Sequence, residues 1–301
     1  MFQHQAIDQL LLQPLLQQAG QPVATVDLQH VADEAVRQLR QRRLDAAAQV
    51  SWKRRLEAVL DQHLQTDAEE YLDADNLAEE RRIAIIRTLH RFNRLVWAYP
   101  RFYALLKPLL RRIQQRYGRP ARILELAGGS GEFAMAIAGL AKKDRMDVQV
   151  IGSDYFEGYV NAARQTAKDR GLDMEFQVIN AFDMQSLPDR SVDVVFVAQS
   201  LHHFSPGQVA LMIRQASRVA ELGFVGIDGH RSALVWGAVP ALGVLLGSRD
   251  FVHDAVISLR KFYTLSELEL MARLAMPEAH IETKAAHPGY SVLQVLRQPG
   301  D

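Results

Sequence analysis

Residues Ile123-Leu124-Glu125-Leu126-Ala127-Gly128-Gly129-Ser130-Gly131 decide how the rest of the chain is read. An apolar run that stops in glycines reads as a buried strand entering a tight turn, where a backbone without Cβ atoms can approach a ligand closely. Outward from it, strand-like and helical stretches alternate. DVQVIGSD (147–154), MEFQVIN (174–180), SVDVVFVAQ (191–199) and LGFVGID (222–228) read as further strands. Helices are expected from about Glu132 to Leu140 and up to Gly171. Ser205-Pro206-Gly207-Gln208 and Thr264-Leu265-Ser266-Glu267 open two more, each a hydroxyl cap with Gln or Glu three positions on. Two last strands flank the short turn His287-Pro288-Gly289 and should therefore be antiparallel. The pattern predicts an α/β fold with a doubly wound, mostly parallel seven-stranded sheet whose last strand is antiparallel.

Upstream the character changes. Residues 1–118 show helix signals and no convincing strand, so they are expected to form an all-helical N-terminal extension to a domain over 119–301. Ile85, Leu89, Phe92, Val96 and Tyr99 fall on one helix face; Pro100 reads as a helix boundary and Tyr117-Gly118 as a helix stop. Residues 61–80 carry eight acids and no Lys or Arg, and residues 81–122 carry twelve Lys and Arg and no acid. Two readings follow: a basic, aromatic-interleaved surface, or neighbouring helical segments whose opposite charges face one another, which is preferred. The extension is also read as a lid over the site, centred on residues 92–103, or as a homodimer contact.

Composition bounds the chemistry. The 301 residues include no cysteine, which excludes disulfides, thiolate metal sites and a cysteine nucleophile. No metal-ligating set is read from the sequence. Basic and acidic residues balance at 35 each, so nucleic acid is not an expected partner. No leader is read at the N-terminus, and the apolar stretch 233–247 is short of the roughly 18–20 residues that span a bilayer. The expectation is a cytoplasmic protein without a transmembrane segment.

Ligands of open α/β sheets bind beyond the carboxyl ends of the strands. The second strand ends in Asp154, 23 residues after Gly131, where a carboxylate can accept from a ribose diol. Gly129 to Ala134 formally fits a dinucleotide-binding loop. Glu125 favours another ligand: it would repel a pyrophosphate and attract a sulfonium amino acid with a free ammonium. Asp183, after the third strand, can accept from an adenine amino group, and Tyr155 offers a ring to the adenine.

Residues from about 120 to 230 resemble a class I S-adenosylmethionine-dependent methyltransferase. The resemblance rests on ILELAGGSG (123–131), VIGSDY (150–155) and NAFDMQSLPDRSVDVVFVAQSLHHF (180–204), in order and over more than a third of the chain. LPDRSVDVVFVAQSLHHF is most similar to small-molecule enzymes of the ubiquinone- and menaquinone-biosynthesis type. The resemblance implies S-adenosyl-L-methionine as cofactor. It implies that Glu125 and the loop Ala127, Gly128, Gly129 and Gly131 cradle the methionine portion, and that Asp154 holds the ribose. Asp183 and Met184 would hold and pack the adenine, and Ala198 and Gln199 line the reactive side. Where the family has glycine this chain has Ala127, which would be strained at a positive φ.

His203, His230 and Tyr263 are the catalytic candidates, each set against a plain structural role as loop anchor, surface residue or core residue. His202 and Arg231 are open in the same way. The segment ALVWGAVPALGVLL (233–246) reads first as a buried helix or turn pair, and second as a wall of a hydrophobic acceptor pocket. The expected function is methyl transfer to a small, aromatic or apolar acceptor, at oxygen rather than carbon or nitrogen. An RNA methyltransferase gripping phosphates through residues 81–122, and a non-catalytic partner protein retaining the fold, stand as alternatives.

Overall fold

The computed structural model describes residues 5–20, 23–74, 76–287 and 289–298. Helices α1 (Gln5–Ala19), α2 (Leu28–Val50), α3 (Trp52–Leu64), α4 (Glu79–Leu95) and α5 (Ala98–Tyr117) precede the first strand, with a short 3₁₀ turn at Tyr71–Asp73. There follow β1 (Ala121–Leu126), α6 (Glu132–Lys143), β2 (Val148–Asp154), α7 (Glu157–Asp169), β3 (Glu175–Val178) and β4 (Val192–Ala198). The chain continues through α8 (Pro206–Val219), β5 (Ala220–Gly229), α9 (Ala233–Leu245), α10 (Arg249–Lys261) and α11 (Leu265–Ala275) to β6 (His280–Ala286) and β7 (Tyr290–Leu296).

The seven strands lie in the order β3-β2-β1-β4-β5-β7-β6. The first five strands are parallel neighbours, and β7 runs antiparallel between β5 and β6. Pro288 of the expected turn lies outside the described residues; on either side of it Ala286 pairs with Tyr290. Order reverses between β1 and β4, which opens a crevice at their carboxyl ends. β4 can occupy the centre because six of its seven residues are apolar and all but the last are buried.

The helices upstream of residue 118 cover both faces of the sheet. Leu12, Leu28 and Leu39 of α1 and α2 share a core with Ile213 of α8 and Met271 of α11. Phe102, Leu110 and Ile113 of α5 share the opposite core with Phe133 and Ile137 of α6 and Phe196 of β4. Among the described residues, no helix is long and apolar enough to cross a membrane.

Two expectations are corrected here. The helix face from Ile85 to Tyr99 belongs to two helices: α4 ends at Leu95, and Trp97 turns the chain at φ 57°. Pro100 has no N–H for the Val96 carbonyl and would crowd it, which favours a break here although α5 and α9 tolerate Pro108 and Pro240 inside them; the Arg101 guanidinium donates to the Val96 carbonyl at 2.9 Å. The opposite charge runs do not pair with each other among the described residues. Arg81, Lys107 and Arg119 pair with Asp250, Asp144 and Asp193, while Asp61 pairs with Arg43 and Arg231. Both runs fasten the helices to the rest of the molecule.

Candidate active site

The loop after β1 is tightly built. Ala127 sits at φ 50°, in the left-handed region its Cβ disfavours, and Gly129 and Gly131 at φ 53° and 71°. A Cβ on Gly128 would come within 2.7 Å of Glu125 Oε2, and one on Gly131 within 2.5 Å of the Phe176 ring. Ser153 and Ser200 hydroxyls donate to the carbonyls of Glu125 and Ala127 and hold the loop from below. Asp154 accepts from Gly129 N at 2.8 Å and from Phe156 N at 2.9 Å, which fixes its half-buried carboxylate at the end of β2 beside the loop.

Glu125 is buried, and its Oε2 has no hydrogen-bond partner. Burial pushes its carboxyl up to about 8, against a lowering hydrogen bond from the Ala134 backbone. An orphan carboxylate oxygen beside a glycine that leaves no room for a side chain fits a cationic head, such as the ammonium of an amino acid.

α4 closes over this loop. His90 spans from the Tyr99 hydroxyl, 2.8 Å from Nδ1, to Ser130 Oγ, 2.9 Å from Nε2. Burial holds its imidazole below the ordinary value, so it sits there neutral. Asn93 and Gln199 exchange amide hydrogen bonds of 2.8 and 3.1 Å, tying α4 to the end of β4.

Beyond Gln199 lies a cavity of about 320 Å³. Ile85, Leu89 and Phe92 of α4, Val235, Val239 and Leu242 of α9, and Phe251 and Ala255 of α10 give it apolar walls. The segment expected first as a buried helix is therefore a cavity wall. α9 also leaves Val244 and Leu245 exposed, because it lies over the crevice and is covered on one side only.

One end of the cavity is polar. His203 lies there, with Nδ1 3.0 Å from Asp73 Oδ2. His202 is buried, with its Nδ1 2.9 Å from the Asp228 carboxylate, which also accepts from the His202 and Gly229 backbone N–H groups. Glu70 is buried beside them; burial is the main cause that pushes its carboxyl up to about 7. Ligand-capable atoms of Glu70, His202 and His203 lie within 4.8 Å of one another.

Other sequence candidates fall elsewhere. Tyr263 is buried, donates to the Phe204 carbonyl at 2.6 Å and does not line the cavity; burial raises its hydroxyl further from ionisation. His230 faces Ser291 Oγ at 2.9 Å, off the cavity, and burial lowers its pKa. Arg231 is neither substrate-facing nor on the surface: it is buried, paired with Asp61 and donating to the Phe262 carbonyl. Met184 is fully buried in the core under the crevice and offers no face to an adenine. Asp183 and Tyr155 are exposed on the rim. Ala198 is half-buried at the end of β4. Glu70, Asp73, His90 and Asn93 escaped sequence reasoning, since none belongs to a motif.

Comparison with known proteins agrees with this geometry. A methyltransferase-domain family model matches residues 123–223. The demethylmenaquinone methyltransferase of Thermus thermophilus is 32% identical over 92 residues, covering 31% of this chain and 40% of that protein. Its counterpart from Deinococcus radiodurans is 30% identical over 125 residues, covering 42% and 46%. The matches thus span under half the length of these relatives. Among solved structures, the plantazolicin methyltransferase BpumL in complex with SAH superposes with a TM-score of 0.52 at 12% identity, covering 73% of this chain and 92% of that one. The methyltransferase SibL gives 0.51 at 18%, covering 79% and 65%.

Proposed function

We propose, from the premise that residues 123–223 form a class I S-adenosylmethionine-dependent methyltransferase domain, that this chain methylates an aromatic or apolar small molecule, at oxygen. The observation that carries the reading is the apolar cavity reaching Gln199 at the end of β4, beside the glycine loop, with one polar end. When bound, the cofactor supplies an electrophilic methyl group on its sulfonium. Glu125 would take the ammonium, Asp154 the ribose hydroxyls and Asp183 the adenine amino group. Residues of α4, α9 and α10 hold the acceptor and keep water away from it. An oxygen acceptor has to lose a proton, and His203 is the only one of the three catalytic candidates that lines the cavity. We assign it the activation of the acceptor. Helix α4 acts as the lid, through His90 on Ser130 and Asn93 on Gln199.

The test is incubation of the full chain with methyl-labelled cofactor and two pools, apolar phenols and quinols on one side and total RNA on the other. Label is expected in the small molecules, and label in RNA alone would overturn the reading. His203→Ala is expected to lower turnover by about 10²–10⁴-fold while cofactor affinity stays unchanged. Equal loss of both would remove His203 from the chemistry.

A further inference from the structure

The polar end of the cavity has more unsatisfied ligand atoms than a proton-abstracting histidine needs. Glu70 Oε1 and His202 Nε2 are both buried, neither has a hydrogen-bond partner, and they lie 3.6 Å apart. Nδ1 of His202 is taken by the Asp228 carboxylate, which leaves Nε2 as the ring nitrogen that faces the Glu70 carboxylate oxygen. At 3.6 Å the two atoms are too far apart for a hydrogen bond, and a buried pair of this kind leaves room for a cation that would satisfy both.

His203 stands beside them: its Nδ1 lies 3.0 Å from Asp73 Oδ2, it lines the cavity, and it has a ligand-capable atom within 4.8 Å of those of Glu70 and His202. An imidazole with one nitrogen on a carboxylate and the other free is the usual form of a metal-binding histidine. Donor atoms about 2.1 Å from a tetrahedral ion stand about 3.4 Å apart, close to the observed 3.6 Å. Charge agrees with the geometry. Glu70 and Asp73 share the Lys261 ammonium, whose Nζ stays 3.9 Å from each.

We infer that Glu70, His202 and His203 bind one divalent ion of the zinc class, with Asp228 and Asp73 as outer partners. Two imidazoles and one carboxylate suit zinc, cobalt or iron in the divalent state, and disfavour magnesium and calcium, which take oxygen ligands. Three protein ligands leave a coordination position toward the cavity. An acceptor hydroxyl held there would ionise more readily, as water does on zinc, so that His203 would activate it as a ligand of the ion and the proton would pass to solvent. The role of the ion rests on the proposed methyl transfer, but its binding does not.

The test uses the full chain without an affinity tag, stripped with a chelator and titrated with Zn²⁺ alone by calorimetry. Co²⁺ serves as a second probe, read by its visible absorption. One equivalent is expected, with a raised thermal transition for Zn²⁺ and none for Mg²⁺. Asp73→Asn is expected to weaken binding by about 10–100-fold, and Glu70→Gln and His202→Ala by more. Each variant's own thermal transition shows that it is folded. No saturation by Zn²⁺ below about 1 mM, or affinity unchanged in Glu70→Gln, would overturn the site. Zinc binding without methyl transfer to any acceptor would keep the site and remove the proposed activity. Full-rate methyl transfer by protein that binds no zinc would do the reverse.

Discussion

At the scale of single residues, the site is governed by what a few side chains cannot find among their neighbours. Glu125 lacks a partner for Oε2, and in the free protein its carboxyl holds a proton up to about pH 8. An ammonium attracts the ionised form only, so binding releases that proton. Cofactor affinity is therefore expected to rise from about pH 6 toward pH 8, and to fall above it as an α-amino group deprotonates. Calorimetry in buffers of different ionisation heat checks the released proton, and a flat profile would refute it. Asp154→Ala removes both the ribose acceptor and the tie to Gly129 N, and should abolish cofactor binding in a folded protein. Ala127 makes a different point. Its departure from glycine was legible in the sequence as a possible strain, and the φ of 50° confirms the cost. Ala127→Gly should relieve roughly 1 kcal/mol of local strain, offset in part by glycine's greater freedom in the unfolded chain. Denaturant unfolding measures the balance.

At the scale of elements, legibility follows how local the signal is. The caps at Ser205 and Thr264 were readable because a capping box is complete within four residues, and both boxes form. Ser205→Ala should cost about 1 kcal/mol, read as a lowered denaturation midpoint with unchanged slope. The α4–α5 break was only half readable. Apolar spacing runs through it undisturbed, since Phe92 and Tyr99 are both buried, and Pro100 marks a boundary nearby without fixing its place, because prolines also sit inside α5 and α9. The segment 233–246 was least readable. Its hydrophobicity says that it is covered but not by what, and an empty-sided cavity wall has the same composition as a core helix. The polar end of the cavity was hidden for a related reason. Glu70 and His202 are far apart in sequence, and only the 3₁₀ turn at Tyr71–Asp73, held by Asp254 through the Tyr71 and Leu72 backbone N–H groups, brings them together.

At the scale of the whole molecule, the balanced charge total conceals a buried ionic cluster that joins the N-terminal helices to the rest. Arg43 of α2 pairs with Asp8 of α1 at 2.8 Å, with Glu267 of α11 at 3.4 Å and with Asp61 of α3 at 3.5 Å. Arg40 adds a second cation on Glu267, and Arg231 a further one on Asp61. Arg40, Arg43 and Arg231 thus face Asp8, Asp61 and Glu267, three against three, from five separate segments. No sequence pattern announces such partners. Removing one member strands the others in a dry interior, so Arg43→Ala should destabilise by about 3–5 kcal/mol. Acid should act through Glu267, whose carboxyl is held far below its ordinary 4.5 by Arg40 and Arg43 despite complete burial. A depressed folded pKa gives stability that is present above the unfolded value and lost as pH falls below it toward the folded one. Glu267→Gln should therefore be less stable than the natural chain at neutral pH, with the gap closing as pH falls below about 4.5. Asp8 and Asp61 behave oppositely, since burial raises both and their contribution improves as they protonate. The Glu267 charge is itself one of the causes that raise both, so the difference between the two unfolding curves reads Glu267 together with its coupling to Asp8 and Asp61. A gap that stayed constant down to about pH 3 would show that Glu267 acts through packing and its cap on Thr264 N rather than through charge.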